Sequence, residues 1–198
     1  MSRLLESIKV FDRKFYDIEY HNARMNKTRR DLFNSHDEID LAEVIRIPAD
    51  LSHNLYKCRV VYTDGIINTE FHPYIIKPIT ALKVVYDDFI LYDYKYEDRK
   101  EFLKHLDDVG DSEILIVKNG LITDTSYSNI VFSDNEKFIT PATPLLKGTK
   151  REKLLKKGKI FEEEVRLIDL HKFKYAYLIN AMIDLEDDIR IPINKILF

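Results

Sequence analysis

Lys95 lies in a segment whose residue types could make a lysine reactive. The segment Tyr92-Asp93-Tyr94-Lys95-Tyr96 alternates aromatic with charged side chains. In a strand, successive side chains point to opposite faces, so we expect the three tyrosines on one face and Lys95 beside Asp93 on the other. A lysine buried among aromatic rings loses the solvation of its charged form, and its neutral amine can then form a Schiff base with an aldehyde. The simpler interpretation is a solvated lysine on an edge strand.

Asp124 occupies a polar stretch that could hold a carboxylate against a bound ring. The stretch extends from Asn119 to Phe132. Hydroxyl groups flank the acid at Thr123, Thr125, Ser126 and Ser128. A carboxylate held among hydroxyls can pair with a protonated pyridine nitrogen and keep that ring an electron sink. An ordinary polar turn after the predicted hairpin at Asn119-Gly120 explains the same residues.

A helix start that could bind phosphate is predicted between Thr140 and Leu155. Thr149, with Glu152 three residues later, fits a capping box, which predicts that a helix begins there. Gly148 immediately before it would let the backbone approach a ligand closely. The unpaired amides and the helix dipole at that end favour a phosphate group. A well-capped helix without a ligand is the alternative.

The first helix could contribute a further phosphate ligand. Asp17 is its predicted N-cap, and the helical pattern continues to about Phe33. Spacings of three and four place five residues on one face, namely Ile18, His21, Met25, Thr28 and Leu32. Arg24 could offer a fork of donors to a phosphate. The alternative is a surface arginine, which is what we expect of Arg29 and Arg30.

The predicted elements mix strands and helices without regular alternation. Asp64-Gly65 separates two β-rich runs, which predicts a hairpin formed by residues 55–62 and 66–74. Because no regular β-α-β repeat follows, the expected fold class is α+β. We place a boundary near Asp87-Asp88, between a small N-terminal domain (1–87) and a C-terminal domain (88–198).

Composition limits the classes of function. The chain has 198 residues, a formal net charge of −3 and a pI near 6.1, so we expect no nucleic-acid partner. Cys58 is the only cysteine, which excludes an intrachain disulfide and favours a reducing compartment. The first residues have neither a signal-peptide pattern nor a membrane-spanning run, so we expect a cytoplasmic protein without a membrane partner. The histidine spacing predicts no metal site.

The order and spacing of these segments resemble the class IV aminotransferase and 4-amino-4-deoxychorismate lyase family, the fold-type IV pyridoxal-phosphate enzymes. The most specific match is Asn119–Leu155, where N-G-x-I-T-acid-x4-N leads to T-P and then to L-x-G-T-x-R. The segment Tyr20–Met25 resembles the family's H-x-x-R helix, and Lys95–Arg99 resembles the K-x-x-D-R segment of the lyases. Asn180-Ala181-Met182 resembles the lyase C-terminal segment rather than the G-T-A of branched-chain aminotransferases.

The resemblance implies a role for each matching residue. Lys95 would hold pyridoxal 5'-phosphate covalently and act as the general base. Asp124 would face the pyridine nitrogen. The residues implied to bind the phosphate or to lie near it or the substrate are Arg24, Gly148, Thr149, Lys150, Asn180 and Ala181.

The resemblance also implies a fold and an assembly. The fold is that of D-amino acid aminotransferase, with a small N-terminal α/β sandwich domain and a larger C-terminal β-barrel-like domain that bind the cofactor between them. The expected assembly is a homodimer acting on a small amino substrate.

The implied activity leaves three hypotheses open. The first is a 4-amino-4-deoxychorismate lyase that releases pyruvate and 4-aminobenzoate for folate synthesis, favoured by Arg99 and the Asn180 segment. The second is a transaminase for branched-chain or D-amino acids that uses the same lysine. The third is a non-catalytic cofactor-binding or interaction protein, suggested by the aspartate at position 124, where most members have glutamate, and by the short chain.

Overall fold

The computed structural model describes residues 2–106 and 112–198. Contacts divide the chain into two compact units. The first contains the residues up to Ile76 together with Tyr94–Asp98, and the second contains Lys77–Asp93 and Arg99–Phe198. This division differs from the predicted boundary near residue 87. The two domains on either side of that boundary stay a prediction.

The first unit is built on a four-stranded antiparallel sheet in the order β2-β1-β3-β4. Its elements are β1 (Leu4–Phe11), β2 (Lys14–Phe15), α1 (Ile18–Phe33), α2 (Leu41–Val44), β3 (Tyr56–Tyr62) and β4 (Ile66–Pro73). The predicted hairpin at Asp64-Gly65 is confirmed as the β3–β4 connection. Strand β1 alternates between buried and half-buried residues, and Glu6 is the single charged residue on its buried face.

Helix α1 begins and ends where its pattern predicts, but two details differ. Asp17 precedes the helix in a left-handed conformation, with φ of 57°, and makes no side-chain capping hydrogen bond. Leu32, predicted on the buried face, is exposed. The buried residues of α1 are His21, Met25, Asn26, Thr28 and Arg29.

Arg29 is buried, so its predicted surface position is wrong. Its guanidinium donates to the backbone oxygens of Asp64 and Asp37 at 2.6 Å each, and to the side chain of Asn26 at 3.1 Å. It also pairs with the Asp37 carboxylate at 3.0 Å. Four acceptors replace the water that this charge loses on burial. Sequence spacing did not reveal them, because Asp37 and Asp64 follow the helix and only the fold brings them back to Arg29.

The second unit contains two sheets. Its elements are β5 (Leu82–Tyr86), α3 (Lys100–Leu103), β6 (Glu113–Lys118), β7 (Leu121–Ile122), β8 (Asn129–Ser133), β9 (Phe138–Pro141), α4 (Thr149–Lys156), β10 (Phe161–Glu163), β11 (Tyr175–Ile179), β12 (Arg190–Pro192) and β13 (Ile196–Leu197), with 3₁₀ helices at Leu167–Lys172, Leu185–Asp187 and Ile193–Lys195. The strand orders are β10-β9-β8-β11-β12 and β13-β5-β6-β7. Every residue of β8 is buried. These mixed sheets confirm the α+β class.

The tyrosine-rich segment does not form the expected strand. Between Tyr92 and Tyr96 the backbone bends, and only Tyr96 makes an isolated bridge, to Leu4. The ring of Tyr92 packs edge-to-face on Phe102 in the second unit, whereas Tyr94 and Tyr96 contact each other in the first. The three tyrosines therefore do not line one face. No helix in the described residues is long and apolar enough to cross a membrane.

Candidate active site

Glu6 organises the polar group of the first unit. Its carboxylate accepts two hydrogen bonds from Arg24, from Nε at 2.9 Å and from Nη2 at 2.5 Å. Its Oε2 also contacts Nδ1 of His21 at 2.6 Å. Glu6 and His21 are fully buried, and Arg24 is largely buried. Strand β1 and helix α1 therefore meet through one buried carboxylate.

The protonation states in this group follow from burial and pairing. Burial raises the pKa of Glu6, but the Arg24 charge and the His21 hydrogen bond outweigh it and hold the pKa at about 2. Burial also lowers the pKa of His21, which favours the neutral ring. A neutral His21 that donates from Nδ1 to Glu6 has its lone pair on Nε2, and among the described residues this nitrogen has no hydrogen-bond partner.

Lys95 belongs to the same unit as this group. Its backbone oxygen accepts a hydrogen bond from the amide of Leu5 at 2.9 Å, next to Glu6 along β1. Its side chain is half-buried, and its charge acts on His21. Arg24 and Lys95 thus bring two basic side chains into the same unit, and basic side chains attract a phosphate ester.

Asp124 is held in a ring of hydrogen bonds in the second unit. Its Oδ1 accepts from Nδ2 of Asn129 at 2.8 Å, and its Oδ2 accepts from the amide of Leu146 at 2.9 Å. The same Nδ2 of Asn129 donates to the backbone oxygen of Leu146 at 2.9 Å, which closes the ring. Asp124 is 5% exposed. Burial raises its pKa to about 6, against the hydrogen bonds from Leu146 and Asn129 and the charge of Arg151.

Gly148 makes room for Asn129. A Cβ placed on Gly148 would lie 2.0 Å from Oδ1 of Asn129. The glycine has φ of −69° and ψ of 146°, which other residues also adopt, so space rather than backbone conformation requires it. The predicted approach of this backbone to a phosphate stays a prediction.

Helix α4 begins at the predicted residue but with a different cap. Gly148 is the N-cap, Thr149 is the first helical residue, and the predicted capping box of Thr149 and Glu152 is therefore wrong. Amides of a first helical turn have no acceptor within the helix, so this end suits an anion. Lys150 is buried, and its ammonium pairs with Asp184.

Asn180 ends β11 in a hydrogen-bonded turn. Its Oδ1 accepts from the amides of Met182 at 2.8 Å and Ile183 at 3.1 Å, and its Nδ2 donates to Oγ of Ser128 at 2.9 Å. Together with the Lys150–Asp184 pair, this contact joins the Asp124 loop, the start of α4 and the Asn180 turn. The structure thus brings together three segments that are far apart in the sequence.

Comparisons with known proteins identify the family of the chain. The model of the family described as amino-transferase class IV matches residues 95–185, a range that includes Lys95, Asp124 and Asn180. A solved structure from Haemophilus somnus, provisionally assigned as a 4-amino-4-deoxychorismate lyase, is 31% identical with a TM-score of 0.85, over 93% of this chain and 98% of that one. The chain belongs to the class IV aminotransferase family.

Two further proteins are similar to this chain. An uncharacterized protein of Haemophilus influenzae is 34% identical over 185 residues, which are 92% of this chain and 98% of that protein. A hypothetical aminotransferase of Mycobacterium tuberculosis, solved in a pyridoxal-phosphate-bound form, has a TM-score of 0.73 at 18% identity and covers 91% of this chain and 78% of that one, which shows the shared fold.

The class IV membership confirms several predictions. The fold is that of the fold-type IV enzymes. Members of the class IV family are pyridoxal-phosphate-dependent aminotransferases or lyases, which confirms the predicted class of enzyme. The individual roles of the site residues stay predictions.

Sequence reasoning missed Glu6 and Asn129. Glu6 could have been found, because a charged residue stands where the β1 alternation requires a buried apolar one. Asn129 was visible within the family motif, but its partners Asp124 and Leu146 are 5 and 17 residues away, and nothing in the spacing assigns it to them.

Proposed function

We propose that this chain is a 4-amino-4-deoxychorismate lyase that uses pyridoxal 5'-phosphate bound to Lys95. The observation that carries the choice of lyase is the Asn180-Ala181-Met182 turn, hydrogen-bonded to Ser128 of the Asp124 loop. The Haemophilus somnus relative with the provisional lyase name supports the same reaction.

The residues fit the charges of this cofactor. In the first unit, the guanidinium of Arg24 carries a positive charge and a fork of donors, which suit a phosphate. In the second unit, the start of α4 offers amides to an anion. A pKa of about 6 leaves Asp124 mostly ionised at neutral pH. A cationic ring nitrogen beside it would lower this pKa.

Each residue then has a proposed task. The bound cofactor supplies an electron sink for the carbon that bears the substrate amine. Nζ of Lys95 would hold the cofactor and, with the substrate bound, would take the proton from that carbon. Pyruvate leaves, and 4-aminobenzoate is the second product. Asp124 would keep the ring nitrogen protonated, and the family resemblance assigns the phosphate to Arg24, Gly148, Thr149 and Lys150.

The cellular setting is part of the same proposal. We propose a homodimer that supplies 4-aminobenzoate to folate synthesis in the cytoplasm. Asn180 and Ala181 would lie near the phosphate or the substrate.

The test measures both products. Protein supplied with pyridoxal 5'-phosphate is mixed with 4-amino-4-deoxychorismate, and pyruvate and 4-aminobenzoate are measured with time. We expect equal amounts of the two, with loss of activity in Lys95→Ala and retention in the exposed control Lys157→Ala.

Absence of pyruvate, under conditions where a known lyase releases it, would overturn the lyase proposal. Conversion of the cofactor to pyridoxamine phosphate by a branched-chain or D-amino acid would instead identify a transaminase, the activity that the class IV match equally allows. A protein that never binds the cofactor would be the non-catalytic member.

A further inference from the structure

The ring around Asp124 gives Asn129 a task that the family match does not assign. We propose that Asn129 is a positioning residue, which fixes the Asp124 carboxylate and the Leu146–Gly148 backbone in one arrangement and keeps Asp124 in its charged form. The use of that carboxylate to face a cationic ring rests on the proposed function.

Asn129 uses both hydrogens of its side-chain Nδ2 in this ring. Nδ2 carries two hydrogens, and they serve Asp124 at 2.8 Å and the backbone oxygen of Leu146 at 2.9 Å. The amide of Leu146 returns to the second oxygen of Asp124 at 2.9 Å. A serine hydroxyl has one hydrogen and an aspartate has none, so neither could make both bonds.

Gly148 is a second, independent indication of this arrangement. Other residues could adopt the backbone conformation of Gly148, but none would have room for its side chain, because a Cβ would collide with Oδ1 of Asn129. The Asn129 side chain is short, buried and held by two hydrogen bonds, so it could move away from a Cβ only by breaking the ring. Asn129 in this position therefore requires glycine at position 148.

The ring also decides the charge of Asp124. Burial favours the neutral acid, and the opposing influences are the backbone amides of Leu146 and Leu145, the side-chain amide of Asn129 and the charge of Arg151. Arg151 is already bound to the backbone oxygen of Pro141 at 2.8 Å and to Glu162 at 2.6 Å. Loss of Asn129 removes one of the two side chains that stabilise the carboxylate, so Asp124 becomes neutral at a higher pH and pairs less well with a cation at neutral pH.

The experiment titrates Asp124 directly in cofactor-free protein. Carbon-13 NMR of the Asp124 carboxyl follows its protonation in the wild type, in Asn129→Ala, and in the control Ser133→Ala, which removes a buried hydroxyl from the same strand. We expect the midpoint to rise by about one pH unit or more in Asn129→Ala and to stay at the wild-type value in the control. Affinity for pyridoxal 5'-phosphate at neutral pH should fall about tenfold or more in Asn129→Ala only.

A second variant keeps the test valid if Asn129→Ala folds poorly. In Asn129→Ala/Gly148→Ala, the new methyl at position 148 occupies space that the amide leaves. This double variant should be more stable than Gly148→Ala alone, while its Asp124 midpoint stays raised. A midpoint equal to that of the wild type in either folded variant would overturn the proposal and leave Asn129 a packing residue. Failure of the wild type to bind the cofactor would overturn the proposed function, whereas the titration alone decides the task of Asn129.

Discussion

At the scale of the residue, Glu6 is the buried charge on which the first unit depends. It holds Arg24 and His21 through three contacts of 2.5 to 2.9 Å. Removal of this buried carboxylate deprives Arg24 of an ionic partner, which is more costly than loss of an exposed pair. The alternation of β1 placed this residue on the buried face, and α1 supplied both partners.

We expect Glu6→Gln to destabilise the protein by about 3 kcal/mol or more at neutral pH. The folded-state pKa of Glu6 lies below its ordinary value, so its contribution is present above about pH 4.5 and is lost as the pH falls toward about 2. Urea unfolding at neutral pH and at pH 3 measures this, with the exposed pair variant Glu38→Gln as control, for which the loss should be about 1 kcal/mol or less. Equal losses in the two variants would contradict the account.

Asp124 shows the opposite dependence on pH. Its folded-state pKa is raised from 3.8 to about 6, so its contribution to stability is full below about pH 3.8 and is lost as the pH rises through 6. In cofactor-free protein, ionisation of Asp124 should lower the free energy of unfolding by about 3 kcal/mol at neutral pH. Thermal unfolding of the wild type and Asp124→Asn between pH 4 and 7.5 should show that the stability of the variant relative to the wild type increases with pH. A difference that does not change with pH would rule out the raised pKa.

At the scale of the element, local turn chemistry was the part of the fold that the sequence predicted best. Asp64-Gly65 and Asn119-Gly120 each form the connection of a hairpin, and positive φ at Asn119 (50°) and Gly120 (76°) explains the residue types of the second. The alternation around Lys95 failed, because alternating aromatic residues also suit a bend whose rings pack in different places. The capping box failed because a threonine can equally be the first helical residue after a glycine cap.

Helix α4 is anchored by the pair formed by the buried Lys150 and the half-buried Asp184. Lys150 is 2% exposed, and we expect a coupling energy of about 1–3 kcal/mol in a double-mutant cycle of Lys150→Ala and Asp184→Ala. The exposed pair of Lys156 and Glu152, 2.7 Å apart on the same helix, is the matched control and should couple by about 0.5 kcal/mol or less. If the two cycles give the same energy, the anchoring assigned to Lys150 is wrong.

At the scale of the whole molecule, the family motif predicted which segments matter, but not how they are joined. The loop of Asp124, the start of α4 and the turn at Asn180 lie in one unit, while Lys95 and Arg24 lie in the other. The side chains whose hydrogen bonds connect the three segments are far from their partners in the sequence. Such contacts depend on tertiary structure, and spacing along the chain cannot reveal them.

The central claim is that Lys95 holds the cofactor, and borohydride trapping followed by peptide mapping tests it most directly. Purified protein is incubated with pyridoxal 5'-phosphate, its visible absorption is recorded, and the reduced protein is digested to locate the modified lysine by mass. We predict a visible band that reduction abolishes, with the added mass on the peptide that contains Lys95. A colourless protein without modified lysine, or a modification on another lysine that Lys95→Ala does not prevent, would contradict the account.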